Sequence, residues 1–416
     1  MRAHWHFLRR AIGPALLVAA LSVSAAEPVK IALIVPMSGP FAAVGELYAK
    51  NSQFIVDEIN AHGGVLGGRR LELAVMDNKL SPQESLIALS RAIDAEIPYV
   101  ISTGGSHIHI PLSETIARHN DREPHRRMLF LAEPGEQDLI QERCNFWTFA
   151  FHPSPESKMA ALTSHIATLR EVKKIYLINQ DYVFGHQMRQ FARDMLTRKR
   201  PGIEILGDDL HPLGKVKDFA PYVAKIRASG ADAVITGNWG SDMTLLVRAA
   251  AESGLGASFF TYYAMGLGAP TAMGAAAIDK VKVIWRWHPN LPFEDERRAA
   301  NAYKKRFGLE YYSMPLNNLF AMLTQAIERA GSTDALRVAR ALEGMRVRNS
   351  MGEAWMRPDD HQLFEPLYIL TITRVNGKDV KYDLESTGLG TRIDARIEAS
   401  EMMLPTRCKM VRPPEQ

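Results

Sequence analysis

The reading of the fold turns on Lys30–Gly45, KIALIVPMSGPFAAVG. Ile31, Ala32, Leu33, Ile34 and Val35 form an unbroken apolar run. That is the pattern of a strand covered on both faces, as in a parallel sheet; periodicity alone leaves a short buried helix open. Pro36 has no N–H for a ladder, so the strand stops there. Ser38-Gly39-Pro40 is turn chemistry, and a helix starts after it. Open α/β sheets bind ligands beyond the carboxyl ends of their strands, which is where this loop falls.

Downstream the same unit recurs. Glu46–Asn60 reads as a helix with Tyr48, Ser52, Ile55 and Ile59 on one face, ended by Gly63-Gly64. Arg70–Met76 is a second strand. Ser81-Pro82-Gln83-Glu84 opens a second helix with a Ser cap, Pro at the first helical position and Glu three residues on. Strands Tyr99–Thr103 and Met128–Ala132 flank a helix running through Ala117. Phe146–Phe151, followed by Pro153 and Pro155, reads as a crossing between lobes. The alternation then restarts: helix Glu156–Leu169, strand Lys174–Asn179, helix His186–Arg198, strand Glu204–Gly207, helix Asp218–Ala228 capped by Asp218, strand Ala233–Thr236, helix Asp242–Ser253 and strand Ser258–Tyr262. Val281–Trp287 is a further strand and a second crossing. Helices Glu294–Phe307, Leu316–Ala330 and Thr333–Leu342 follow, then strand Leu367–Thr373 and a hairpin-like turn at Val375-Asn376-Gly377-Lys378. Beyond Asp383 the pattern is weak. The fold class is therefore α/β, with two blocks each the size of one doubly wound domain.

Composition narrows the function. A chain of 416 residues with 46% hydrophobic and 23% charged residues is an ordinary globular protein. The net charge of +4 is small, and the cluster Arg122–Arg127 contains an acid and a proline, so it is a solvated loop and no nucleic-acid partner is implied. Upstream of the deciding stretch, Arg2, Arg9 and Arg10 precede the apolar Ala11–Val23 and the small residues Ser24-Ala25-Ala26. This is a secretory signal peptide over residues 1–26, too short to span a bilayer. Export makes a disulfide the favoured state of the only two cysteines, Cys144 and Cys408, over two free buried thiols.

Catalytic signatures are missing. There is no phosphate-binding G-x-x-x-x-G-K-[ST], no dinucleotide fingerprint after the first strand, no H-E-x-x-H and no G-x-S-x-G. No cofactor is expected. His107-Ile108-His109 has a metal-like spacing, but at a helix start the two rings diverge, so no metal is expected and His107 is read as cleft-lining. Ser106, His107 and Glu133 form the one set to check for a hydrolase. Gly104-Gly105-Ser106, between a strand end and a helix start, offers free N–H groups and a hydroxyl to a carboxylate; a plain capped turn fits equally well. Tyr182, Phe184, Trp239, Tyr262 and Tyr263 all fall near strand ends, which suits a cleft that stacks a small ligand.

These features resemble the periplasmic substrate-binding proteins of ABC importers, specifically the leucine/isoleucine/valine-binding type. The resemblance is carried by IALIVPMSGPFAAVG, by DEINAHGGVLGG at Asp57–Gly68 with RRLELAVMDNKLSPQES after it, and by INQDYVFG, VKDFAPYVAKIRASGADAVITG and AAAESGL. It implies the type I fold: one lobe of about 27–150 plus 286–360, the other of about 151–285 plus 361–416, joined by three hinge crossings that close on a ligand. It implies a monomer in the periplasm that hands a small amino acid or organic acid to an inner-membrane permease. An exported sensor or co-receptor on the same fold is the alternative. It also implies a ligand carboxylate at Gly105-Ser106, groups near Glu133–Gln137, an aromatic at Phe184 and another near Trp239. The sequence departs from the family pattern in three places. Val44 stands where the first loop has a ligand-facing aromatic. Ala264 stands where an acid grips the ligand's amino group. Glu133-Pro134-Gly135-Glu136 replaces an Ala/Thr pair. Either Glu133, Glu136 or Asp181 supplies the missing charge, or the ligand has no amino group.

Overall fold

β1 (Val29–Val35) lies second in a five-stranded, all-parallel sheet of order β2-β1-β3-β4-β5. The computed structural model describes residues 27–103, 106–133, 136–290, 294–311, 314–349 and 352–414. The expected signal peptide over residues 1–26 lies outside them, as do Gly104, Gly105, Pro134 and Gly135. Ile31 through Val35 are fully buried, as a strand covered on both faces must be. Along the chain come α1 (Ala42–Ala61), β2 (Leu71–Asp77), α2 (Pro82–Asp94), β3 (Tyr99–Ser102), α3 (Ser106–Arg122), β4 (Leu129–Ala132) and β5 (Thr148–Ala150). α2 starts as its residues dictate: the Ser81 hydroxyl accepts from the Glu84 N–H at 3.4 Å and Pro82 is the first helical residue. The segment read as a pure crossing, Phe146–Phe151, contains β5, which pairs with β4 as the sheet's last strand before the chain leaves the lobe.

The second lobe begins with α4 (Pro155–Thr168) and continues through β6 (Lys174–Gln180), α5 (Val183–Lys199), β7 (Glu204–His211), α6 (Ala220–Ser229), β8 (Ala233–Thr236), α7 (Ser241–Glu252), β9 (Ser258–Thr261), α8 (Ala269–Met273) and β10 (Val281–Trp285). The chain then crosses back through α9 (Glu294–Phe307), α10 (Met314–Ala330) and α11 (Ala335–Leu342). Leu316, Phe320 and Leu336 from the last two helices complete the first lobe's core with Leu33, Ile101, Leu131 and Phe149. A small antiparallel sheet of β11 (Arg346–Asn349), β12 (Gly352–Met356) and β13 (Leu363–Phe364) precedes the third crossing. β14 (Leu367–Arg374) and β15 (Leu389–Ile397) then add two antiparallel strands to the second sheet, whose order is β15-β14-β10-β9-β8-β6-β7.

The weakly patterned region beyond Asp383 thus holds a nine-residue strand. After it the tail changes lobes. Met402 packs with Met159 and Leu162 in the second lobe. Arg407 then reaches Gln141 and Glu142, Arg412 pairs with Glu343, and Cys408 forms a disulfide with Cys144 at a Cα separation of 5.7 Å. The division implied by the resemblance gave residues 361–416 to the second lobe; the partners of the tail's final part belong to the first.

Candidate functional site in the interlobe cleft

The strand ends of the two sheets face each other. Phe41, in the 3-10 turn Gly39–Phe41 after β1, packs its ring at a 35° tilt against Trp239 of the loop after β8, with ring centroids 4.3 Å apart. The Phe41 ring needs the flat backbone opposite it. A Cβ on Gly240 would come within 2.9 Å of that ring and one on Gly214 within 3.1 Å, and both glycines have positive φ, +59° and +66°. The Trp239 Nε1–H donates to the Tyr182 hydroxyl at 2.9 Å, and His107 meets the Tyr182 ring edge-on at 6.0 Å. Gln187 on α5 accepts from the Gln137 N–H and donates to Asp138 Oδ1, both at 2.9 Å. Contacts of this kind across the cleft make a closed arrangement.

Between these contacts and the hinge lies a buried charged cluster. Glu133 follows β4, and its Oε1 sits 3.4 Å from Arg286 Nη1. Arg286 also engages Glu365 through Nε and the Phe151 carbonyl through Nη2 at 2.9 Å. Asn318 donates to the other Glu365 oxygen at 2.6 Å. Glu136 Oε2 sits 3.4 Å from His109 Nδ1. Lys158, at the start of α4, is 2% exposed. Its Nζ is 3.4 Å from His152 Nε2 and lies 4.7 and 4.9 Å from the ring centroids of Tyr262 and Tyr263. Glu133 Oε2, Glu136 Oε1 and His109 Nε2 are buried with no hydrogen-bond partner among the described residues.

Desolvation governs the electrostatics here. Burial pushes the Glu133 carboxyl up to about 7, against the opposing pull of Arg286 and then of Tyr48. Burial raises Glu365 too, with Arg286 pulling it back. It depresses the Lys158 ammonium well below the usual lysine range; Arg286 adds to this, while Glu133 and Glu365 oppose it. His152 is held well below its ordinary value by burial and then by Lys158 and Arg286. The Tyr263 phenol is raised by burial first and then by the charge of Glu133, with Arg286 opposing. Such a site can exclude water and hold a small polar molecule. The His107 Nε2 pairs with the Leu80 carbonyl at 3.0 Å, and among the described residues no hydrogen bond joins His107 to Glu133.

Of the residues singled out in the sequence, Glu133 lies against Arg286, Tyr263 against Lys158 and Glu136 against His109, and His107 and Trp239 meet at Tyr182. Phe184 is buried behind them, about 6 Å from the rings of Tyr182, Tyr262 and Tyr263. Ser106 opens α3, and Gly105 lies outside the described residues. Val44 is half-buried on α1, and the first loop's aromatic is Phe41, three residues earlier. Ala264 is fully buried in the second lobe's core. Asp181 is exposed and paired with His186 at 2.8 Å, away from the buried cluster. Sequence reasoning missed Phe41, Tyr48 as a cleft residue, His109, Lys158, Arg286 and Glu365. A signal existed for two of them. Lys158 precedes the apolar Met159-Ala160-Ala161-Leu162, and Arg286 stands between two tryptophans at a strand end.

A relative from Brucella abortus (strain 2308), "Leu/Ile/Val-binding protein homolog 4", is 28% identical over 418 residues covering 96% of each chain. The solved leucine-, isoleucine-, valine-, threonine-, and alanine-binding protein from Brucella ovis, in a closed conformation, superposes with a TM-score of 0.84 at 27% identity, covering 93% of this chain and all of that one. An ABC-transporter solute-binding protein from Rhodopseudomonas palustris BisB5, in complex with 3,4-dihydroxybenzoic acid, shares the fold with a TM-score of 0.76 at 18% identity over 90% of this chain and 98% of that one. The family model described as "Periplasmic binding protein" matches residues 28–379. With that match spanning both lobes and the cleft between them, the chain belongs to the periplasmic binding protein family.

Proposed function

We propose that this chain is the extracytoplasmic solute-binding component of an ABC importer. It captures a small carboxylate-bearing solute, an amino acid or an organic or aromatic acid, between its lobes by hinge closure and delivers it unchanged to a membrane permease. The observation that carries this reading is the desolvated charged cluster of Glu133, Lys158 and Arg286 between two lobes that the Phe41–Trp239 ring contact joins. Such a cluster suits a polar solute of a few heavy atoms and leaves it sealed from water. The solute carboxylate is taken at the N-terminus of α3, where the first-turn N–H groups offer donors. The names of the relatives, which cover amino-acid and aromatic-acid binders, support the same class of solute. The chain acts as an exported monomer, its signal peptide removed near Ala26.

The test is a thermal-shift and calorimetric screen of the purified mature chain against L-amino acids, their amides and aromatic acids. Solute at a hundred times its Kd stabilises a folded protein by about 2.7 kcal/mol, so a true ligand raises Tm by several degrees. Mass spectrometry of the released solute is expected to recover it intact. No rise with any compound, or conversion of the solute, would sink this reading.

A further inference from the structure

We infer that Asp242 is a positioning residue for lobe closure: its buried carboxylate ties together the three second-lobe loops that form the surface on which Phe41 lands. Its role in closure rests on the solute-capture reading; its hold on the loops does not.

Asp242 is the second residue of α7 and is fully buried. Its Oδ2 accepts two hydrogen bonds from different segments. Gln180 Nε2, at the end of β6, donates at 2.7 Å, and the Gly214 N–H, in the loop after β7, donates at 2.8 Å. The same Gln180 amide donates to the Trp239 carbonyl at 3.3 Å, in the loop after β8. β8, β6 and β7 are consecutive in the second sheet, so one carboxylate spans the carboxyl ends of three neighbouring strands. Gly214 and Gly240 are the glycines whose backbone faces the Phe41 ring, on its Cε2 and Cε1 sides. Gly214 is bonded to Asp242 directly, and Trp239, the chain neighbour of Gly240, is bonded through Gln180.

Glycine populates positive φ without requiring it, so Gly214 and Gly240 need an outside tie to stay where the ring needs them. Removing a buried acceptor leaves its donors unpaired at their full desolvation cost, and the loops relax outward to hydrate them. The base of the loop after β8 has separate anchors. The Gly237 N–H donates to Asn179 Oδ1 at 2.8 Å, and Asn238 Nδ2 lies 2.8 Å from His211 Nε2. Loss of the Asp242 carboxylate therefore frees the tip of the surface and leaves its base in place. Asp242 Oδ1 is buried with no hydrogen-bond partner among the described residues, so a single oxygen does the tying. An asparagine carries that oxygen and puts its amide on the unbonded side.

The test begins with hydrogen exchange, read by mass spectrometry on the mature chain without solute. Asp242→Ala is expected to speed exchange in residues 212–216 and 237–240 by about tenfold beyond any change in the sheet strands. Calorimetry with L-leucine and 4-hydroxybenzoate as probes then reads the consequence for closure. Asp242→Ala should weaken the probe that the wild type binds by about tenfold, and by less than about threefold in a Phe41→Ala background. Asp242→Asn should bring both readouts back to within about threefold of the wild type. Gln180→Met, similar in length, drops both amide hydrogen bonds and should reproduce the faster exchange at 237–240 even where Asp242→Ala does not fold. Unchanged exchange in the two loops overturns the inference. So does an affinity loss equal in both backgrounds, which would make Asp242 a structural residue that acts without Phe41, or an Asp242→Asn variant no better than Asp242→Ala. Where the wild type binds neither probe, it is the solute-capture reading that loses support, and exchange still decides whether Asp242 holds the loops.

Discussion

Phe41 couples the two lobes through one ring, and its fit depends on what is missing opposite it. The ring contact with Trp239 at 4.3 Å forms across the cleft, so it stabilises the closed state over any opened one. Aromatic pairs contribute roughly 0.5–1.5 kcal/mol beyond the area they bury, so Phe41→Ala is expected to weaken solute binding about tenfold by calorimetry. Gly240→Ala attacks the same contact from the other side, placing a Cβ 2.9 Å from the ring at a φ of +59°. It too should weaken binding, and its effect should shrink in the Phe41→Ala background, because the clash needs the ring. Equal effects in both backgrounds would mean that backbone strain, and not the ring contact, is responsible. Glu133 yields a second prediction. Its folded value of about 7 lies above the ordinary carboxyl value of 4.5, so the native state holds its proton over a range where the unfolded chain has lost it. The stability linked to that proton is full below 4.5 and is lost as pH rises through about 7. His152 works in the opposite direction, since its depressed value costs stability as pH falls. The informative quantity is therefore the difference between wild type and Glu133→Gln. The variant should gain on the wild type by on the order of 2–3 kcal/mol between pH 4.5 and 7.5 in chemical denaturation without solute. A pH-independent difference would show that Glu133 does not titrate with folding.

At the scale of elements, the strands and helices that pack as βα units were legible, because each announces itself locally. Ile31–Val35 is buried on both faces as its composition requires, Ser81-Pro82-Gln83-Glu84 opens α2, and Ala233–Thr236 has the bounds its residues suggest. What failed was long-range pairing. β15 mixes Gly390, Arg392, Asp394 and Arg396 with apolar residues, and it is a strand because β14 lies beside it, an arrangement no local pattern encodes. Among the described residues β11 and β12 pair only with each other and β13. Asp218 looked like the cap of α6, yet the cap position is Phe219, and the Asp218 carboxylate instead accepts from the Ala220 N–H at 2.8 Å. The site divides the same way. Glu133 and Trp239 sit immediately after strands, where α/β folds keep their ligands, and could be read directly. Lys158, Arg286 and Glu365 lie near three separate crossings and converge only because the chain passes between lobes at one hinge. Their meeting is a property of topology, not of any segment.

The whole molecule carries a fourth link between its lobes besides the three crossings. Leu404 and Met402 anchor the tail to the second lobe's cluster, and the Cys144–Cys408 disulfide anchors it to the first, closing a loop across a sequence separation of 264. Arg407 with Glu142 and Arg412 with Glu343 reinforce the far anchor. Only four peptide steps separate Leu404 from Cys408, and a chain spans at most ~3.3–3.6 Å per residue, so the two anchors can part by no more than about 14 Å. Hinge opening has to respect that limit on the edge where the tail runs. Replacing both cysteines, Cys144→Ser with Cys408→Ser, removes the limit and the constraint on the unfolded chain together. The first loss is expected to raise the radius of gyration of the solute-free protein in X-ray scattering, while leaving the solute-bound value unchanged. A wider open state populates the closed one less, so solute affinity should fall as well. The second loss should cost about 2–5 kcal/mol of stability, lowering Tm. The two parts separate cleanly: a lower Tm with unaltered scattering and affinity would reduce the tail to a staple for folding, whereas a larger radius with weaker binding makes it a restraint on the opening of the cleft.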